Sequence, residues 1–454
     1  MSPQSRSRSR SRPPGPRGDP LFGNSRQYAR DPFGFLTACE AAYGDVVSVD
    51  FGPLSAYVLT NPADIERVLV GDHERYRKPE FQADELGRLL GDGLLLSEGE
   101  TWRQQRDLAT PAFDMSRITD IADTMTAHAE ATVGSWSAGD ELDLEAEMAR
   151  LTVRIIADAM LGVDLSAERV REIQETLDPL GKRFEPDPVR FVTPDWVPTR
   201  GNRDFEDAVE RLEGVVDDIV AERRGTEGSA DDDDPPMDLL SILLRAQNRG
   251  EQTDRQLRDE VLTMLLAGHD TTALTLTYAG YLLAEQPAAE GRLHAELDSV
   301  LDGAPTFADV RELTYLDRVL QETMRLYPPV YAVFREPLID VKLGGYRIPE
   351  GTAVMCPQWA VHRSPRWWDD PERFDPDRWT RERATDRPRF AHFPFGGGPR
   401  HCIGKRFSLL EAKLILAVIG REYRLDYRGD SPLDLQGSLT MHPEGGMPMR
   451  IERR

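Results

Sequence analysis

The chain has 454 residues, 39% of them hydrophobic, with 79 acidic against 56 basic side chains and a formal net charge of −23. So acidic a balance excludes general nucleic-acid binding, and three widely spaced cysteines (Cys39, Cys356 and Cys402) exclude a disulfide framework and point to a reducing compartment. Only five residues are lysine (Lys78, Lys182, Lys342, Lys405 and Lys413), a pattern that suits a salt-rich, halophilic cytosol where screening suppresses self-repulsion.

The N-terminus is a Ser-Arg run through Arg12, read as a disordered tail over residues 1–12, followed by Pro13-Pro14-Gly15-Pro16. No apolar leader or anchor is visible there, which predicts a cytoplasmic protein with no membrane anchor. Val46 to Phe51 and Ala56 to Leu59 alternate like strands of a small sheet. Trp102 and Arg106 stand four apart, on one helix face. Gly225 to Pro236, with Asp231 to Asp234 inside it, reads as a solvated loop.

Thr253 and Gln256 form a capping-box pattern that opens a helix predicted from Asp254 to Gln286 and stopped by Pro287. At 1.5 Å per residue it is roughly 50 Å long. Its middle is apolar enough to suggest a membrane span, but His269 and Asp270 sit at the centre, where an Asp costs about 2.5–3.5 kcal/mol in lipid. A buried central helix with a polar notch, Ala267-Gly268-His269-Asp270-Thr271-Thr272, is the better reading. Most of the remainder shows helical spacing. There are no internal repeats and no Gly-x-Gly-x-x-Gly, so no nucleotide or flavin module is fused.

Further on, Glu322 and Arg325 lie one turn apart on a helix that ends at Pro328-Pro329, and the apolar run Val330 to Phe334 follows. Two tandem Pro-x-Arg segments come next, Pro371-Glu372-Arg373 and Pro376-Asp377-Arg378. Between Thr380 and Arg406 stand Arg381, Arg383, Arg387, Arg389, Arg400, Lys405 and Arg406 against only Glu382 and Asp386, the reverse of the overall balance. Within that stretch is the most informative segment of the chain, Phe395 to Gly404. Cys402 sits in a glycine-rich turn just ahead of a helix predicted from Phe407 to Gly420, whose N-terminal N–H groups favour a thiolate. Gly396, Gly397, Gly398 and Gly404 remove side chains where something flat and bulky can approach the sulfur. A thiolate held this way is a good axial ligand for haem iron.

The spacing Phe395, Gly398, Arg400, Cys402, Gly404 resembles the haem-binding loop of the cytochrome P450 family. The notch, the Trp102–Arg106 pair and the Glu322–Arg325 pair resemble three further motifs of that family, and the resemblance runs from about Pro13 to the C-terminus. It implies a P450 fold, mainly α with a small β-rich region, as one domain over residues 13–454. It implies haem b (iron protoporphyrin IX) with Cys402 as the axial iron ligand and Trp102, Arg106, Arg400 and Arg335 serving the propionates. Ala267 and Gly268 would leave room above the iron. Thr271 would hydrogen-bond dioxygen and Asp270 would connect it to solvent protons, an effect of about 10²–10⁴-fold for general acid–base catalysis. His269 is a packing residue. The Glu322–Arg325 pair is completed in the family by a Pro-x-Arg arginine. Position relative to Trp367-Trp368-Asp369-Asp370 selects Arg378 over Arg373, with the role of holding the haem loop.

By the same resemblance, Val330, Ala332 and Val333 would pass over the haem, and Leu439 and Thr440 would close a pocket for an apolar small molecule. The implied protein is a monomeric haem-thiolate monooxygenase fed by separate redox proteins, with an acidic ferredoxin docking on the arginine-rich stretch. A non-catalytic haem-binding sensor and a peroxide-driven or isomerising P450 are the competing readings. The intact Asp270–Thr271 pair favours dioxygen activation over both.

Overall fold

The structure, a computed structural model, describes residues 12–52, 54–186, 197, 199–226 and 237–454. The Ser-Arg run before Arg12 and the Asp231 to Asp234 loop lie outside the described residues. Helices dominate. The largest sheet has five strands in the order Val46–Phe51, Leu54–Leu59, Ala353–Pro357, Ala332–Pro337 and Tyr76–Arg77. The first two form a hairpin with Val46 opposite Leu59, and Leu54–Leu59 runs parallel to Ala353–Pro357. Val46, Tyr57, Val354, Cys356 and Phe393 form a small apolar cluster, while the main core lies among the helices. The chain start is tied to this sheet: Ser48 N donates to Pro14 O at 2.9 Å and Arg12 pairs with Asp50.

The central helix spans Asp254–Ala284 and opens on the Thr253–Gln256 capping box, with both reciprocal bonds made. Its 31 residues are about 46 Å long. It stops two residues before the predicted Gln286, and Pro287 starts the next helix, Pro287–Val300, where a missing N–H is harmless. The helix packs along Leu144–Leu161. A Cβ on Gly268 would lie 1.9 Å from Cδ1 of Ile156 on that partner. A side chain there would have to displace the end of Ile156, so the glycine also serves close helix packing. His269 is buried beside it, with Nδ1 2.8 Å from Leu265 O and its carbonyl accepting from Thr152 at 3.0 Å.

The helix after the cysteine spans Lys405–Glu422, two residues longer at each end than predicted. It touches the central helix through Thr272 and Ser408, whose hydroxyl oxygens are 2.9 Å apart. Among the described residues no helix is long and apolar enough to cross a membrane.

Candidate active site

Because the Lys405–Glu422 helix begins three residues past Cys402, its free N–H groups reach the sulfur directly. The N–H groups of Gly404 and Lys405 and the charges of Arg106 and Lys405 all pull the Cys402 thiol down, but the protein packed around it outweighs them and raises it overall. The residue as a whole is nonetheless exposed. Cys39 and Cys356 are buried, and burial pushes their thiols up to about 12, which leaves them inert. Cys402 N donates to Phe395 O at 3.0 Å and closes the turn.

Two of the glycines of this loop answer to neighbouring protein. Gly398 has φ +68°, and a Cβ there would lie 1.9 Å from the Leu69 carbonyl oxygen; one on Gly397 would lie 2.6 Å from the Phe390 ring. Those two fit the loop against its neighbours. Gly404 alone among them has its Cβ position close to the sulfur, 4.0 Å from Cys402 Sγ.

Beside the loop, cations converge with too little negative charge. Arg400 lies over the Trp102 ring at 4.5 Å and pairs with Glu98, yet its Nη1 is buried without a partner. Arg335 is buried, its Nη1 donating only to the Phe334 carbonyl at 2.7 Å. Burial, then repulsion from Arg335 and Arg400, pushes Lys78 down to about 7, and burial pushes Arg400 down to about 10. One carboxylate against three desolvated cations is a cradle for an anion. Arg106 instead turns to the loop, donating from Nη1 to His401 O at 3.0 Å.

On the central helix, Ala267 is exposed in the midst of buried residues, and Leu266, Gly268, Asp270 and Thr271 are partly accessible. This window lies next to Thr272, which touches Ser408 near the cysteine. Thr271 Oγ1 donates to Ala267 O at 3.1 Å, and Asp270 Oδ2 is 3.7 Å from His442 Nε2. An accessible thiol, an anion cradle and an opened helix together fit haem, a flat macrocycle with two carboxylates and an iron to be ligated.

Glu322 and Arg325 are both fully buried and form a two-pronged pair, Nε to Oε2 at 2.9 Å and Nη2 to Oε1 at 2.8 Å. Arg378 donates from Nε to Glu322 Oε1 at 3.2 Å and is 3% exposed, whereas the Arg373 side chain is exposed. Arg325 Nη1 donates to His362 O at 2.9 Å, and His362 Nε2 accepts from Phe393 N at 3.0 Å. The ion pair thus reaches the segment leading into the cysteine loop.

The expected pocket residues occupy different settings. In the strand Ala332–Pro337 successive side chains alternate, so Ala332 and Phe334 share one face and Val333 and Arg335 the other. Ala332 and Val333 therefore do not line one surface together. Phe334 meets Phe81 edge-on at 5.5 Å, Val330 is half-buried, and Leu439 is 44% exposed. Thr440 is buried, with its hydroxyl 2.9 Å from His442 Nε2.

A family model for Cytochrome P450 matches residues 13–449. The chain belongs to the cytochrome P450 family. It is 38% identical over 417 residues to cyclooctatin synthase of Streptomyces melanosporofaciens, covering 90% of this chain and 89% of that protein. It is 36% identical over 414 residues to cyclooctat-9-en-7-ol 5-monooxygenase of the same organism, covering 89% and 88%. The crystal structure of the cytochrome P450DA heme domain matches with a TM-score of 0.84 and 27% identity, over 97% of this chain and 98% of that one. This P450 is a haem-thiolate monooxygenase that oxidises an apolar small molecule with dioxygen and electrons from redox partners.

Three site residues of this P450 carry no motif. Lys78 enters the cradle from the Tyr76–Arg77 strand end, and only its rarity as a lysine marked it. Trp379 gives its indole N–H to Glu322 Oε2 at 3.0 Å. His362 is buried and pushed down to about 3, so it stays neutral and its Nε2 remains an acceptor.

Proposed function

We propose that this P450 holds haem b through Cys402, with Arg400, Arg335, Trp102 and Lys78 receiving the propionates, and oxidises a cyclic, largely hydrocarbon substrate of the terpene type. The observation that carries the haem assignment is the orphaned Arg400 Nη1 among desolvated cations, beside the one exposed thiol among the described residues. The substrate class is supported by the relative whose name gives cyclooctat-9-en-7-ol as its substrate, and by the apolar residues around the notch.

Haem, when bound, supplies the electron transfer that activates dioxygen. This chain's residues manage protons and access. Thr271 donates its hydroxyl hydrogen to dioxygen, and Asp270 replaces it from the solvent side. Two electrons and two protons turn one oxygen atom into water and leave the other in the product. Ala267 keeps the helix surface low where dioxygen and substrate meet. Phe395 and Gly404 shape the cysteine turn, Arg106 holds its backbone, and Glu322, Arg325 and Arg378 anchor the segment before it.

The electron donor in this reading is an acidic ferredoxin at the Cys402 face. The docking patch is smaller than the sequence count suggests. Arg383 pairs with Asp375 at 2.9 Å, and Arg387 stacks over Trp368 at 3.8 Å and is half-buried. Arg381, Arg389, Lys405 and Arg406 remain exposed. The reading is completed by a monomeric single domain over residues 13–454 behind a short tail, working in a salt-rich cytoplasm.

Cys402→Ser tests the assignment. The reduced carbon monoxide complex should lose the red-shifted Soret band that thiolate ligation produces; retention of that band overturns the reading.

A further inference from the structure

Asp270 does not stand alone. His442, on the strand Met441–Pro443, is held at both ring nitrogens: Nδ1 lies 2.7 Å from Glu145 Oε1, and Nε2 lies 2.9 Å from the Thr440 hydroxyl and 3.7 Å from Asp270 Oδ2. Glu145 sits in the first turn of the helix Leu144–Leu161, where burial raises its carboxyl and His442 pulls it back down. The strand is pinned in place, since Met441 O accepts from Tyr278 OH at 2.7 Å and Met441 N donates to Pro329 O at 2.9 Å. Three elements distant in sequence thus gather two carboxylates and one imidazole next to Thr271. Among the described residues no group of three or more His, Cys, Asp or Glu is arranged to hold a metal ion, so this is no metal site.

We propose that His442, oriented by Glu145, is the relay that returns protons to Asp270 during turnover. The proposal rests on the acid–alcohol reading of Asp270 and Thr271 given above. In the neutral imidazole, Nδ1–H donates to Glu145, and Nε2 accepts from the Thr440 hydroxyl. His442 is 30% exposed, so Nε2 can take a proton from water. The imidazolium then donates through Nε2 to Asp270 Oδ2, which a small side-chain rotation brings from 3.7 Å to hydrogen-bonding distance, and reverts to neutral. Each cycle moves one proton, two cycles serve one turnover, and no electrons are exchanged. Asp143 and Asp270 also act on Glu145, and the Tyr278 hydroxyl feels both Glu145 and Asp270. An imidazole changes charge near neutral pH, which a carboxylate in the same place does not. Glu145 at Nδ1 and the Thr440 hydroxyl at Nε2 together fix the ring so that Nε2 faces Asp270.

His442→Gln retains a donor for Glu145 but cannot carry a proton. In the haem-loaded full-length protein, the carbon monoxide spectrum and the substrate-induced spectral shift should match the wild type, which establishes that fold and ligation are intact. Product per reductant should fall about tenfold, within the range of lost acid–base assistance, and its pH dependence should disappear. A second readout needs no turnover. In the diamagnetic reduced carbon monoxide complex, the nuclear magnetic resonance titration midpoint of His442 should move to lower pH in both Asp270→Asn and Glu145→Gln. An unmoved midpoint in Asp270→Asn overturns the proposal, as does a His442→Gln variant with wild-type yield and pH profile. If Thr271→Ala also leaves the yield unchanged, the acid–alcohol reading fails. If Thr271→Ala uncouples while His442→Gln does not, only the relay fails.

Discussion

Thr271 donates its hydroxyl back to the Ala267 carbonyl, a bond that adds little to helix stability because threonine and alanine differ there by less than about 0.7 kcal/mol in alanine's favour. Thr271→Ala should therefore fold, bind haem and bind substrate as the parent does. Under the proposed relay, what it loses is the hydrogen given to dioxygen. Reductant consumption should continue while peroxide replaces product, and the peroxide-to-product ratio in a single assay reads this directly. A ratio equal to that of the parent removes Thr271 from the relay. Residues of this kind were legible in sequence because their meaning is local. Five fixed positions within ten residues mark Cys402, and four fixed positions within five residues mark the notch. The second contact of Gly268, with Ile156 on another helix, was not legible. Lys78 and His442 were illegible for the same reason. Each takes its role from partners far away in the chain, and neither sits in a spacing that local geometry dictates.

At the scale of elements, Glu322 is the point where the Thr314–Leu326 helix is fastened to the segment before the cysteine loop. It accepts from Arg325 Nε and Nη2, Arg378 Nε, Trp379 Nε1 and the backbone N–H of Asp375. A buried carboxylate so fully satisfied tolerates the loss of a partner badly. Arg378→Ala should cost about 3–5 kcal/mol, whereas Arg373→Ala removes an exposed side chain and should cost little. Arg373 contributes its carbonyl, which the substitution retains. Haem absorbance per polypeptide after purification, with the thermal unfolding midpoint, distinguishes the two. Greater sensitivity at Arg373 than at Arg378 contradicts this account. The elements themselves were readable from periodicity and stop signals: the central helix differs from expectation by two residues at one end, and the first hairpin by two at one strand start. The run Val330 to Phe334 was readable too, but as apolar composition. Its two-residue alternation, which separates Ala332 from Val333, follows only once the segment is known to be a strand paired with Ala353–Pro357.

Charge is the property that belongs to the whole molecule. A chain of net charge −23 repels an acidic protein at long range, so an acidic donor must be drawn in by a local field strong enough to reverse that repulsion. The sequence placed seven cations between Thr380 and Arg406, but it could not say which of them point outward. Packing takes Arg387 onto Trp368, Asp375 takes Arg383, and Glu98 takes Arg400. Lys405 lies over the Phe395 ring at 5.4 Å and acts on the Cys402 thiol, so altering it would confuse docking with ligation. Arg381, Arg389 and Arg406 are the positions where charge can be reversed at the surface, Arg389 being the one with a distant partner, Glu66 at 3.7 Å. The triple change to Glu should slow reduction by an acidic ferredoxin about tenfold or more at low ionic strength, because encounter rates respond to surface charge by factors of roughly 10–10³. Dithionite reduction and the substrate-induced spectral shift should not change, since neither depends on docking. Raising salt should close the gap between variant and parent by shortening the reach of the field to about 3 Å at 1 M. In a salt-rich cytoplasm the patch would therefore guide orientation at contact more than long-range capture. A ferredoxin reduction rate that is the same in both proteins at low salt would place the entry of electrons elsewhere on the surface.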